Sequence, residues 1–189
     1  LEQFLLSEGA EPVVPGLADF VIFKIYNRDV DVDIYGGKWI KQAVCRVFAG
    51  YIKKKQRAMI DALKRSGRFR APGDFDELHS YIKGYLGDGN KMGEGWLLTA
   101  EMLELIHTGV PNIVCTQPFG CLPNHIVGKG MIRKLKDDYP WSNIVAIDYD
   151  PGATKINQEN RIKLMLANAR GLQKQHEEES AREEEPAGV

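Results

Sequence analysis

Two short apolar runs constrain this chain more than any other feature: Asn112-Ile-Val-Cys-Thr116 and Asn143-Ile-Val-Ala-Ile147. Each has the length of a buried strand. Between them lie Pro118-Phe-Gly-Cys-Leu-Pro-Asn-His125 and a helix of about one dozen residues, the crossover that parallel strands require. The stretch 112–170 therefore reads as a βαβ unit. Gly120 allows a sharp turn after the first strand, and Pro123 suits the first turn of the helix. Asp148-Tyr-Asp-Pro-Gly152 is the exit turn of the second strand. In open parallel sheets, ligands sit beyond the carboxyl ends of the strands. Cys121 and the 148–152 turn both fall on that edge, so function is sought there.

The remainder reads as helix and loop. Glu2 to Ser7 is a short helix closed by Gly9. Glu11-Pro-Val-Val-Pro15 carries too much proline for a central strand and is an edge strand or loop. Phe20 to Ile25 is apolar, and six residues do not separate strand from buried helix. After Gly36-Gly37, the residues Ile40, Val44, Val47, Phe48 and Tyr51 recur at helical spacing, continuing through Ile60 and Leu63. This is the pattern of a long helix with a core-facing stripe, ended by Gly67 and Pro72. Phe75 to Leu86 is a further helix, capped by Asp74 with Glu77 completing a capping box. The glycine-rich 87–95 loop then feeds a helix from Trp96 to His107. After Thr154, a good N-cap, a helix runs to about Ala169, with Ile156, Ile162, Leu164, Met165 and Leu166 as its apolar face.

Length and charge bound the possibilities. At 189 residues and 43% apolar, the chain can fill the core of one domain, or one and a fraction. No apolar run approaches a membrane span, and no signal peptide opens the sequence. It begins with Leu1 rather than Met, which reads as a piece of something larger that could carry half a site. The net charge of −1 hides a split. From Gly171 onward there are six acids and two bases, net −4, which leaves the body at +3. The acidic 171–189 tail lacks an apolar stripe and is expected to fray or stay disordered. Between Lys53 and Arg70 stand eight bases against one acid. Such a run could draw phosphates or an acidic partner. A solvated helix face is the plainer reading, and nucleic acid is disfavoured because no aromatic platform is interleaved with the bases.

Cys121 is the sharpest chemical candidate. It follows a strand and precedes a helix N-terminus, where free amides and the macrodipole favour thiolate over thiol. A thiolate is what a metal or an iron–sulfur cluster needs. Against that, a lone cysteine without a Cys-x-x-Cys partner is usually not a ligand. Three cysteines, Cys45, Cys115 and Cys121, make no disulfide framework and fit a reducing cytoplasm. Cys45 and Cys115 read as core. His125 falls in the first turn after Cys121 and could be a ligand, a proton donor or a surface imidazole. Asp148 and Asp150 could hold magnesium or a ribose, though turn formation explains them more simply. His79, His107 and His176 form no zinc-type cluster. The 87–95 loop has neither the dinucleotide fingerprint nor the P-loop spacing, so it is a weak phosphate cradle and reads more simply as a connector.

As a set, several motifs resemble one family. Thr116-Gln-Pro-Phe-Gly-Cys-Leu-Pro-Asn-His125, Gly128-Lys-Gly130 and Ala146-Ile-Asp-Tyr-Asp-Pro-Gly-Ala-Thr154 are similar to the C-terminal part of acyl-CoA dehydratase activase-related proteins, relatives of the 2-hydroxyglutaryl-CoA dehydratase system. Gly93-Glu-Gly-Trp-Leu-Leu-Thr-Ala100 and Tyr26-Asn-Arg-Asp-Val-Asp31 are similar to it as well. The likeness covers roughly 1–169 and omits the acidic tail. It implies an oxygen-sensitive cytoplasmic system that spends ATP to move a low-potential electron, with a [4Fe-4S] or related cluster held by cysteines from separate flavodoxin-like domains.

On that likeness Cys121 takes the position of a cluster ligand. Pro118, Gly120, Pro123 and Asn124 shape its pocket. His125, Gly93 and Gly95 are secondary candidates for hydrogen bonds to cluster sulfurs or to a substrate phosphate. No second ligand cysteine falls on the same edge, so the rest would come from the remainder of a parent chain or a second dehydratase-like subunit. The chain lacks ATPase phosphate motifs and should not hydrolyse ATP by itself. A CoA thioester is a candidate partner; a CoA- or nucleotide-binding module and a cofactor-free docking domain are the other readings. The expected architecture is an α/β domain over 1–170, three-layered and flavodoxin-like or Rossmann-like. It has a small, mostly parallel sheet and a helix-rich insertion at about 38–108.

Overall fold

The computed structural model describes residues 1–150 and 152–184, with side chains described through Lys174. It is a mixed α/β structure with seven α-helices and two strands among the described residues. The chain forms two compact units interleaved in sequence. One comprises Leu1–Pro12, Val110–Cys121 and the chain from Ile132 onward; the other comprises Val13–Gly109 and Leu122–Met131.

The first unit is built on β1 (Asn112–Pro118) and β2 (Asn143–Tyr149). They pair in parallel, Asn112 against Asn143 through Pro118 against Tyr149. The sequence placed both strands correctly; each extends two residues past its apolar run. Side chains alternate across a strand, so Val114, Val145 and Ile147 share one face. There they pack with Ile162, Met165 and Leu166 of α7 (Lys155–Glu184) and with Phe4 and Leu5 of α1 (Glu2–Ser7). Ile113, Cys115, Ile144 and Ala146 on the other face are also buried. Burial on both faces is what a parallel pair requires, and it explains why these runs read as continuously apolar. The sheet has two strands only among the described residues.

Several expectations for this unit need correction. The crossover is not one regular helix. Asn124–Gly128 is wound as a π-helix and Lys129–Met131 as a 3₁₀ turn, ahead of α6 (Ile132–Asp138). A Cβ on Gly130 would lie 3.1 Å from the His125 carbonyl oxygen, so the tightened stretch leaves little room for a side chain there. In α7, Ile156 and Leu164 are exposed while Ile162, Met165 and Leu166 are buried, so the apolar face is narrower than its sequence suggests. That helix passes Ala169 and Gly171 and continues to Glu184; residues 185–189 of the acidic tail lie outside the described residues.

The second unit is helical. Phe20–Ile25 is part of α2 (Leu17–Tyr35), a helix rather than a strand. Ile22, Phe23 and Val30 face inward on it. Alpha-helix α3 spans Trp39–Ser66 and ends at Gly67, whose φ of 61° closes it in the left-handed region, where glycine costs least. Helix α4 is Phe75–Tyr81, shorter than the expected run to Leu86. The Asp74 cap is as read, its carboxylate accepting from the Asp76 and Glu77 amides, but the expected capping box is not completed by Glu77. Glu77's own carboxylate accepts from the Tyr81 hydroxyl. Helix α5 is Leu97–His107. The core joins Ile22, Phe23, Phe75, Leu78, Trp96 and Leu97.

The stripe on α3 behaves differently from its pattern. Ile60 is buried and Leu63 half-buried, but Ile40, Val44, Val47, Phe48 and Tyr51 are all exposed. Periodicity identified the helix correctly, but among the described residues nothing covers that half of its apolar face.

Candidate functional site

At the carboxyl edge of the sheet the sequence-derived candidates are positioned by backbone geometry. Pro118, the last residue of β1, accepts through its carbonyl from the Cys121 amide at 3.2 Å. Gly120 takes φ 72° at the third position of this four-residue turn, where a type II turn demands a positive value. Cys121 is half-buried and free of disulfide, between exposed Phe119 and exposed Leu122. It is the last residue of its segment of the sheet unit, and Leu122 opens a segment of the helical unit.

Beside this turn, the Gln117 side-chain amide donates to the Asp148 carboxylate across β1 and β2. Gln117 is buried, and its own side-chain oxygen has no partner. Gln158 at the start of α7 donates to the Asp148 carbonyl. Asp148 is thus committed to bracing the strand ends. Cys115 lies two residue pairs back on the same face and is buried; burial, and then the nearby Asp148 carboxylate, push its thiol up from the usual range. It cannot offer a thiolate as readily as a solvent-facing cysteine can.

The helical unit assembles the other candidates. The 87–95 loop is tied down by α2. Lys24 donates to the Gly93 carbonyl, Asn27 donates to the Lys91 carbonyl at 3.4 Å, and Asp31 pairs with the Lys91 ammonium. The loop then closes on itself through the Trp96 amide and the Asn90 carbonyl, 2.6 Å apart. Gly93 (φ 60°) and Gly95 (φ 51°) both need the left-handed region. A Cβ on Gly95 would collide with the Asn90–Lys91 backbone, 2.7 Å from the Lys91 Cα. A Cβ on Gly93 would stand 3.0 Å from Pro123 Cγ. The loop and the start of the post-Cys121 segment therefore touch at this glycine and this proline. Asn124 is buried, His125 is half-buried in the π-helix, and Thr99 of α5 donates to the Val127 carbonyl.

Sequence reasoning missed the polar group behind this loop. Tyr26 donates to Asp88 at 3.1 Å, and the other Asp88 oxygen meets His79 Nε2 at 2.8 Å. Tyr26 and His79 rest on Trp96, with ring centroids 6.2 and 4.9 Å away. Burial first, then Asp88, raises the Tyr26 phenol well above its ordinary value, so it acts as a donor. The Asn27 side-chain oxygen and the Trp96 indole nitrogen are buried without partners. The only signal in the chain was the polar character of Tyr26-Asn27 beside an apolar run.

A second missed group is acidic. Asp19 of α2 accepts from Gln56 at 2.6 Å, and the Gly73 amide donates to Glu104 at 2.8 Å. Glu101 stands near both carboxylates, and burial, then Asp19, push its carboxyl up to about 8. Asp19 and Glu104 are raised too, chiefly by burial.

The basic run is partly neutralised. Lys53 pairs with Asp76, and Arg57 with Asp74 and Asp76 at 2.9 and 2.8 Å. Lys54, Lys55, Lys64, Arg65 and Arg68 remain exposed.

Among the described residues, no three His, Cys, Asp or Glu side chains converge as a metal-binding group. A cluster would therefore fit here only by taking one thiolate, Cys121, from this chain and its other ligands from elsewhere. No helix among the described residues is long and apolar enough to cross a membrane. Compared with known proteins, the chain matches no family model, no curated protein and no solved structure.

Proposed function

We propose that this chain is a module of an iron–sulfur activase or dehydratase-like protein, contributing Cys121 as one ligand of a [4Fe-4S] or related cluster. The observation that carries the reading is the Pro118–Cys121 turn. It presents a half-buried thiol at the carboxyl edge of a parallel strand pair, the edge where open parallel sheets bind ligands. When bound, the cluster would supply low-potential one-electron chemistry toward dehydration or reduction of an acyl-CoA. Pro118, Gly120, Pro123 and Asn124 would hold the backbone around the sulfur. Gly93, Gly95 and His125 would be secondary candidates for hydrogen bonds to cluster sulfurs or to a substrate phosphate, as the resemblance implies. On this reading the two strands belong to a larger three-layer, flavodoxin-like sheet, the setting is cytoplasmic, and the other ligands come from the rest of a parent chain or a second subunit.

The test is anaerobic reconstitution of the full-length protein with iron and sulfide, wild type against Cys121→Ser. The wild type should hold more iron per chain and show the broad visible absorption of a cluster that the variant largely loses. Equal iron and equal absorption in the two would overturn the reading.

A further inference from the structure

We infer that the N-terminal half of α3 is a docking surface for an amphipathic helix of a partner protein, with an apolar stripe and acidic flanks. Trp39, Ile40, Val44, Val47, Phe48 and Tyr51 form one continuous face, with Val47 76% and Trp39 72% exposed. The opposite side of α3 is occupied: Arg46 pairs with Asp29 and Gln42 donates to Asp33, both on α2. Six exposed apolar side chains line the stripe. Monomers rarely leave so large an apolar patch uncovered.

The charge around the stripe selects the occupant. Lys41, Lys54 and Lys55 border it and are exposed, and Lys55 lies over the Tyr51 ring. The only acid on α3 is Asp61, beyond the stripe. A second copy is disfavoured by this rim. Its own α3 would bring the same rim lysines and no acid, and a parallel pair would set Lys54 against itself. Like charges across an interface are costly, and opposite ones fix the partner. Packing favours a helix over a lipid surface. Ala43, Val47 and Gly50 recur at helical spacing along one side of the stripe, with the larger Phe48 and Tyr51 along its other side, and nothing lies within 4 Å of a Cβ on Gly50. A row of small residues beside large ones is a groove that accepts the ridge of another helix. A bilayer has no such ridge.

The experiment uses the whole chain and two labelled synthetic helices that share one leucine stripe. One carries glutamate at the flanking positions, the other lysine. The glutamate helix should bind saturably, at least tenfold more tightly than the lysine helix at low salt, and the gap should narrow above about 0.15 M salt. Val47→Asp, at an exposed site, should abolish binding while leaving the circular dichroism unchanged. Lys54→Gln with Lys55→Gln should erase the preference between helices but keep the apolar binding. Equal affinity for the two helices, or none for either, overturns the proposal. So does a wild-type dimer in sedimentation that Val47→Asp dissolves, or adsorption to phosphatidylserine vesicles without helix binding.

Discussion

Gly93 sits against Pro123 so closely that a single added carbon would stand 3.0 Å from the proline ring. Thirty residues apart in sequence, these two bring the glycine loop to the segment that follows Cys121. The contact also tells the loop's two left-handed glycines apart. Gly93 faces a proline side chain that can yield slightly, whereas Gly95 faces the Asn90–Lys91 backbone, which cannot.

Gly95→Ala should therefore be the more damaging change. It combines left-handed strain of about 1–2 kcal/mol with a backbone clash, for a loss of roughly 3 kcal/mol or more. Gly109→Ala, with φ 80° and open space around its Cβ, should cost only the strain, about 1 kcal/mol. Urea denaturation of the two variants measures the difference; equal losses would contradict the packing described.

Gln56 links three helices. It donates to Asp19 of α2 at 2.6 Å and accepts from the Phe75 amide of α4 at 3.2 Å, both in the interior. Gln56→Ala should leave both groups unpaired and cost about 2–4 kcal/mol. Adding Asp19→Ala should recover part of that loss, because one buried orphan disappears. A double-mutant cycle by chemical denaturation gives the coupling, and strict additivity would show that the link carries no energy.

Stability should fall as pH rises through the range set by Glu101. Its carboxyl lies at about 8 in the folded chain against a reference of 4.5, through burial first and then Asp19, Glu104 and Glu94. The folded state holds a proton there that the unfolded state releases, so between about 4.5 and 8 a rise in pH favours unfolding. The effect amounts to up to about 5 kcal/mol. Glu101→Gln, which cannot ionise, should flatten the slope. Melting temperatures of the two proteins across that range check it; parallel curves would refute it.

The cysteines should separate kinetically. Cys115 is buried with its thiol pushed up by burial and Asp148, while Cys121 and Cys45 are half-buried. Iodoacetamide at neutral pH should modify Cys121 at least tenfold faster than Cys115, which should react only after unfolding. Mass spectrometry over time reads the order directly.

Local pattern made much of the fold legible. Both strands were readable as short apolar runs, since a strand buried on both faces shows no polar alternation. Gly9, Gly67 and the Asp74 cap marked helix boundaries because their chemistry is local. The edge position of Cys121 followed from the strand and Gly120 alone. The π-helix at Asn124–Gly128 was not legible, because its register depends on what Thr99 and Gly130 meet in space. The Tyr26–Asp88–His79 group joins residues 53 and 62 apart, a separation at which sequence carries no pairing signal.

The order of residues settled most of which segments wind, which extend and where they turn, because hydrophobic period, capping and glycine torsions act within a few residues. Phe20–Ile25 is an exception, where pattern alone does not separate helix from strand. Only the tertiary structure decided which apolar faces are used. Val47 and Ile60 belong to one helix and one sequence pattern, yet the first stands in solvent and the second is buried. Periodicity records that a face is apolar; whether another surface lies against it depends on contacts made far along the chain or by another molecule.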